Sequence, residues 1–306
     1  MNTEGFLPRT VDKVERLLDL MEEMGRHPDL KGRLAMHGGT AMNLFMLDVP
    51  RLSVDIDVSY IGAVDRDEML AERPCVERGI EEVARYLGYD VPSTRSEHAG
   101  RTFVLRYRGD WGPDHVKVDC VFLNRSPLVA PESRSCAVRP DARVVTFCDA
   151  ELAGGKIKAF FDRVKVRDLY DVCNLESVLA GADDGYEALV HRVMLYYAFL
   201  SARFPQPFEG RTERFADRED ELEAQLLPML RAADAPPTIQ ELMATAEQFI
   251  VRRIMPRTDG EREYLDRFAE GDYRPDLLFP DNRMTAAAER SPAALWKLQN
   301  LRHMKG

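Results

Sequence analysis

The stretch HGGTAMNLFMLDVPRLSVDIDVSYIG, residues 37–62, decides how the rest of the chain is read. Gly38 and Gly39 stand between a short apolar run, Arg33–Met36, and a helical pattern, Thr40–Leu47, that Asp48 and Pro50 close. Glycines let backbone approach an anion, and a helix N-terminus offers it free N–H groups. Thr40 adds a hydroxyl donor or caps that helix, although a purely structural turn contains the same three residues. SVDIDVSYI then alternates with period two, which predicts a strand. Asp55 and Asp57 fall on one face, and Val54, Ile56 and Val58 fall on the other, where they suit a core.

Two carboxylates this close repel unless a cation lies between them. Mg²⁺ suits such a pair, because it takes carboxylate oxygens and keeps its other positions for water and phosphate. A solvent-facing strand with two acids is the bland alternative. A third acid bears on the choice: in VKVDCVFLN, Asp119 sits on a second alternating run, opposite Val116, Val118, Cys120 and Phe122. Polar-face acids on neighbouring strands can converge, and two-metal nucleotidyl transfer uses such a group to clamp the attacking and leaving oxygens. Ser53, two residues before Asp55, either contacts phosphate or begins the strand; His37 reads as structural.

Working outward, Thr10–Gly25 carries apolar residues at helical spacing, a second helix spans about Val76–Leu87, and strand-like runs occupy Thr102–Tyr107 and His115–Leu123. Trp111-Gly112-Pro113-Asp114 reads as the hairpin turn between them. From about Asp149 the texture becomes helical, with segments near 149–163, 166–179, 185–202, 217–232, 237–254, 259–270 and 291–302. The expected fold is an α/β (α+β) half with a small mixed sheet, residues 1–148, followed by a mainly helical half, residues 149–306.

Composition narrows the class without naming a partner. A net charge of −10 is the wrong sign for a protein coated in nucleic acid, but it permits one local basic surface. Lys156–Arg167 is such a run: five basic residues, among them Lys158, Arg163 and Lys165, face Asp162 alone. A solvated face explains that run as well as an RNA contact does. Five cysteines without a CxxC fit reduced thiols in a cytoplasmic protein. The opening residues hold no export-signal core, and no apolar stretch is long enough to span a membrane. Scattered histidines, and the lack of a GxxxxGK[ST] loop or a glycine-rich kinase loop, disfavour zinc sites and two common nucleotide-binding designs.

The order glycine pair, short helix, DxD strand, hairpin and later single Asp resembles the signature of nucleotidyltransferases of the DNA polymerase β type. The wording GGTA…RLSVDID resembles the AbiEii-like (MenT-like) toxin branch in particular. Downstream, ELAGGKIKAFFDRVKVRDLYDV, residues 151–172, is similar to that family's lysine helix and Arg-Asp-aromatic-Asp element. The resemblance implies that Asp55, Asp57 and Asp119 hold two Mg²⁺ ions, with Mn²⁺ as a substitute. It places Gly38, Gly39, Thr40 and Lys156 at the nucleotide, with Asp168 or Asp171 beside the lysine. It implies NMP transfer from NTP to an RNA acceptor such as a tRNA 3′ end, which would block translation, and a cognate antitoxin. Transfer to a small molecule or a protein hydroxyl, or nucleotide binding without catalysis, are the competing readings.

Overall fold

The computed structural model describes residues 3–232 and 234–303. The chain divides into two compact units: Met1–Phe147 with Met229–Ala233, and Cys148–Pro228 with Asp234–Gly306.

The first unit is a six-stranded mixed sheet with helices. Its elements are α1 (Pro8–Arg26), β1 (Leu34–His37), α2 (Gly38–Ala41), β2 (Asp55–Tyr60), α3 (Arg66–Tyr86), β3 (Gly100–Gly109), β4 (Gly112–Val121), β5 (Glu132–Cys136) and β6 (Arg139–Thr146). The strand order is β3-β4-β2-β1-β6-β5. β2 runs parallel to β4 and antiparallel to β1, so the strand carrying the acid pair lies inside the sheet. On one face Ile56, Val58, Phe103, Leu105, Val116 and Val118 are buried. Each such side chain contributes roughly 1.5–3 kcal/mol when removed from water.

Long polar residues on that same face reach the helices that cover it. Arg101 pairs with Glu77 and Glu81 of α3, and Asp114 pairs with Arg9 and Lys13 of α1. Arg16 of α1 lies 4.2 Å from the centre of the Tyr107 ring. The opposite face is left for chemistry.

α3 begins ten residues before its expected start. Asp65 caps it by accepting from the N–H groups of Asp67 and Glu68, while Pro74 inside the helix interrupts the pattern that periodicity reads. The hairpin loop is Asp110–Trp111, tighter than expected, because Gly112 adopts φ 94° and opens the return strand. β5 and β6 were not expected. Their sequences, ESRSC and RPDARVVT, are too polar to read as strands, yet β6 pairs parallel to β1 at Met36 and Thr146.

The helix expected over 217–232 is broken into α8 (Glu219–Glu221), a π-type turn at Leu222–Leu226 and a 3₁₀ turn at Leu227–Met229 that contains Pro228. Past the proline the chain rejoins the first unit. Leu52 N–H donates to the Met229 carbonyl, and Ala232 N–H to the Gly5 carbonyl, both at 2.8 Å.

The second unit is helical: α4 (Asp149–Asp162), α5 (Val166–Asn174), α6 (Glu176–Leu179), α7 (Asp184–Phe199), α8, α9 (Ile239–Arg253), α10 (Asp259–Glu270), α11 (Asn282–Glu289) and α12 (Pro292–His303). Thr238 with Glu241, and Thr258 with Glu261, form reciprocal capping boxes that start α9 and α10. Stacked rings fill the core, among them Phe161 on Phe208 at 4.9 Å and Phe199 on Tyr264 at 5.4 Å. α4 and α7 meet at Gly154, where an added Cβ would lie 2.4 Å from the Tyr197 ring. Among the described residues, no helix is long and apolar enough to cross a membrane.

Candidate active site

The strand register assembles a polar row across the first unit. β1 pairs His37 with Asp57, β2 pairs Asp57 with Asp119, and β4 pairs Asp119 with Thr102 of β3. One step along, Asp55 is paired with Lys117. Asp55, Asp57 and Asp119 are all half-buried, and Asp57 and Asp119 each stand between buried neighbours that face the core. The Thr102 hydroxyl donates to the Asp119 carboxylate. Asp57, Asp119 and Thr102 line a cavity of about 600 Å³ whose rim carries Arg95, Glu97 and Arg101.

Buried Arg73 holds that rim. Its guanidinium donates to Glu77 (2.7 Å), Ser96 Oγ (2.6 Å) and the carbonyls of Glu97 (2.6 Å), His98 (3.0 Å) and Gly100 (3.2 Å). Sequence reading missed both Thr102 and Arg73. Thr102 was recoverable, because it has the polar parity of a strand adjoining Asp119; apart from Glu77, the partners of Arg73 lie 23–27 residues away and leave no local pattern.

The glycine pair has a specific steric duty. Gly38 sits at φ 73°, and a Cβ there would come within 2.0 Å of Asp57 Oδ2. Only glycine lets β1 turn into α2 directly beneath that carboxylate. Thr40, read from the sequence as a hydroxyl donor or a helix cap, is fully buried, and its hydroxyl donates to the Asp55 carbonyl at 2.5 Å, bracing the start of β2. The Asn43 amide donates to the Gly39 carbonyl at 2.8 Å and ties down the rest of the turn. Ser53 is buried just ahead of β2 rather than exposed to a ligand. The His37 ring stacks on Phe147 at 5.6 Å. Burial pushes its pKa down to about 4, against a backbone hydrogen bond at Val58, so the ring is neutral near pH 7 and structural in kind.

No basic side chain comes within ion-pair distance of Asp55 or Asp119 among the described residues. Nor do three or more His, Cys, Asp or Glu side chains gather closely enough, among those residues, to hold a metal by themselves. The donor set still suits Mg²⁺, which is commonly held by one or two carboxylates and completed by water and substrate phosphate. Asp57 and Asp119, aligned on adjacent parallel strands above an open cavity, are such a pair.

The second unit treats its charges in the opposite way. Lys156 on α4 is bonded to Asp168 Oδ1 at 2.9 Å and Asp171 Oδ2 at 2.7 Å, and the three side chains are 4%, 2% and 0% exposed. Arg163 closes over Asp168 at 2.5 and 3.1 Å. Burial would raise the Asp168 pKa, but Lys156 and Arg163 outweigh it and hold the carboxyl well below its usual range. Both Asp168 and Asp171 hold the lysine. Two further basic residues of the run are neutralised in pairs, Lys158 with Asp162 at 2.5 Å and Lys165 with Glu221 at 3.8 Å. That local pairing weighs against an RNA-binding patch at Lys158, Arg163 and Lys165.

A mixed sheet with register-matched acids on one open face, a glycine turn beneath one of them, and a separate helical unit define the nucleotidyltransferase class. The chain belongs to the family described as "Nucleotidyl transferase AbiEii toxin, Type IV TA system", which matches residues 19–251. Solved structures with a similar fold include MenT4, nucleotidyltransferase toxin Rv2826c from Mycobacterium tuberculosis H37Rv. It shares 16% identity at a TM-score of 0.53, over 94% of this chain and 92% of that one. JHP933 from Helicobacter pylori shares 11% identity at a TM-score of 0.51, over 81% and 93% of the two chains. A second H. pylori structure, described as a putative nucleotidyltransferase, shares 12% at 0.50, over 81% and 96%. No curated protein matches the chain.

Proposed function

We propose that this nucleotidyltransferase toxin transfers NMP from an NTP to a hydroxyl of RNA, with the 3′ end of tRNA as the preferred acceptor. It would act in the cytoplasm, where both substrates are abundant, and a cognate antitoxin would restrain it. The observation that carries the reading is the register match of Asp57 and Asp119 over the cavity, with Asp55 one step along the same strand face.

In the transfer, the acceptor oxygen bonds to the α-phosphorus, the bond from that phosphorus to the bridging oxygen breaks, and pyrophosphate leaves; the hydroxyl proton is released. Asp55, Asp57 and Asp119 would hold divalent ions, Mg²⁺ or Mn²⁺, which supply charge neutralisation for the phosphates and acidify the acceptor hydroxyl. The chain's own contribution is placement. Thr102 orients Asp119, Gly38 leaves Asp57 its room, and Thr40 fixes the backbone of Asp55. Lys156 enters by family resemblance as the group for the triphosphate. In the second unit Asp168 and Asp171 hold its ammonium in place.

Incubation with α-labelled NTPs, total tRNA, antibiotics and carrier protein tests the proposal. Label is expected in tRNA with the wild type and to fall at least a hundredfold with Asp57→Ala. Label only in protein or small molecules, or equal labelling by the variant, would overturn it.

A further inference from the structure

The β3–β4 hairpin has two faces of opposite character. The inner face carries Phe103, Leu105, Val116 and Val118. The outer face carries, from the cavity to the tip, Thr102 and Asp119, then Val104 and Lys117, then Arg106 and His115, then Arg108 and Pro113, because these are the register pairs of matching parity. Arg106, Arg108 and Lys117 are exposed, and Arg95 is exposed at the cavity rim. Among the described residues, none of these four has an ion-pair partner, unlike Lys156, Lys158, Arg163 and Lys165 of the 156–167 run. The acids nearest in sequence or register are Asp55, opposite Lys117 on β2, Asp119 two residues from Lys117 on the same face, Asp90, which bridges Arg106 through backbone bonds, Glu97 at the rim and Asp110 in the loop. Trp111 at the tip is half exposed.

In a chain of net charge −10, an uncompensated positive stripe that starts at the acid row is the exception to the composition. The strand from Thr102 to Arg108 covers roughly 20 Å at about 3.4 Å per residue. A polyanion longer than a nucleotide matches that length and sign.

We propose that the outer face of this hairpin is the track for the phosphate backbone of the RNA acceptor, with Lys117, Arg106 and Arg108 contacting successive phosphates. The inference rests on the nucleotidyl-transfer reading, and it assigns acceptor binding to the first unit instead of the basic run on α4 and α5.

The test is fluorescence anisotropy with end-labelled deacylated tRNA across a salt series. It uses wild type, Arg106→Ala/Arg108→Ala with and without Lys117→Ala, and the charge-keeping Arg106→Lys/Arg108→Lys. Thermal unfolding and binding of a fluorescent NTP analogue serve as controls. The Ala variants should bind tRNA at least tenfold more weakly. Their log–log salt dependence should be shallower by about one unit for every phosphate that is no longer neutralised. The Lys variant should bind nearly as wild type, and NTP binding should not change. Unchanged tRNA affinity and salt slope in the folded Ala variants would overturn the hairpin track even while RNA labelling persists. Failure of the wild type to label any RNA would instead remove the reading beneath it, and the track with it.

Discussion

The acid row on the sheet and the lysine knot between α4 and α5 use the same residue types to opposite ends. On the sheet, Asp55 and Asp119 are half-buried and have no cationic partner among the described residues. In the knot, Asp168 and Asp171 are fully buried and both are bonded to Lys156, with Arg163 closing over one of them. A buried charge must be compensated inside the protein, or it shifts its pKa until it is neutral. A half-exposed carboxylate pair can wait for its counter-ion. On the proposed reading, the half-buried acids of the sheet take an incoming cation, while Asp168 and Asp171 serve Lys156.

Four substitutions sharpen that contrast. The largest effect on activity is expected from Gly38→Ala, whose Cβ would lie 2.0 Å from Asp57 Oδ2. The carboxylate must move, and transfer of label from NTP should fall by about a hundredfold or more, since misplacement by about 1 Å costs on that order. Near-normal activity would show that Asp57 need not sit where it does.

Lys156→Ala removes one member of a buried ionic group and should destabilise the second unit by about 3–5 kcal/mol, read from urea unfolding. A destabilisation below about 1 kcal/mol would mean that the knot is not the closed structure described. The smallest effect separates two adjacent glycines. Gly154→Ala meets Tyr197 at 2.4 Å and should cost about 1–3 kcal/mol, whereas Gly155→Ala meets nothing within 4 Å and should cost little. Equal Tm values for the two variants would contradict the close approach of α4 and α7.

Much of this contrast is legible in the sequence. Period-two alternation locates β2, β3 and β4, and it places Asp55, Asp57 and Asp119 on polar faces, because a strand that is buried on one side must alternate. Helical periodicity locates α1, α4, α7, α9 and α10 for the corresponding reason. What escapes is held by distant partners. β5 and β6 are polar strands whose place depends on pairing with β1 and with each other, and α3 hides its first half behind Pro74. At the site, the glycine pair is visible, but the reason for Gly38 is not, because Asp57 is nineteen residues away and meets it only across the β1–β2 ladder. Thr40 misleads for a related reason: a buried hydroxyl and a ligand-facing one have the same sequence signature. The rim clamp by Arg73 joins loop carbonyls that no periodicity records.

The central claim is that Asp57 and Asp119 together receive a divalent ion. Electron paramagnetic resonance titration of Mn²⁺ into wild type, Asp57→Asn and Asp119→Asn, in the presence of a non-hydrolysable NTP analogue, reads that directly. Tight Mn²⁺ binding by the wild type, weakened at least tenfold in each folded variant, is the predicted result. Binding that survives both substitutions unchanged would contradict it.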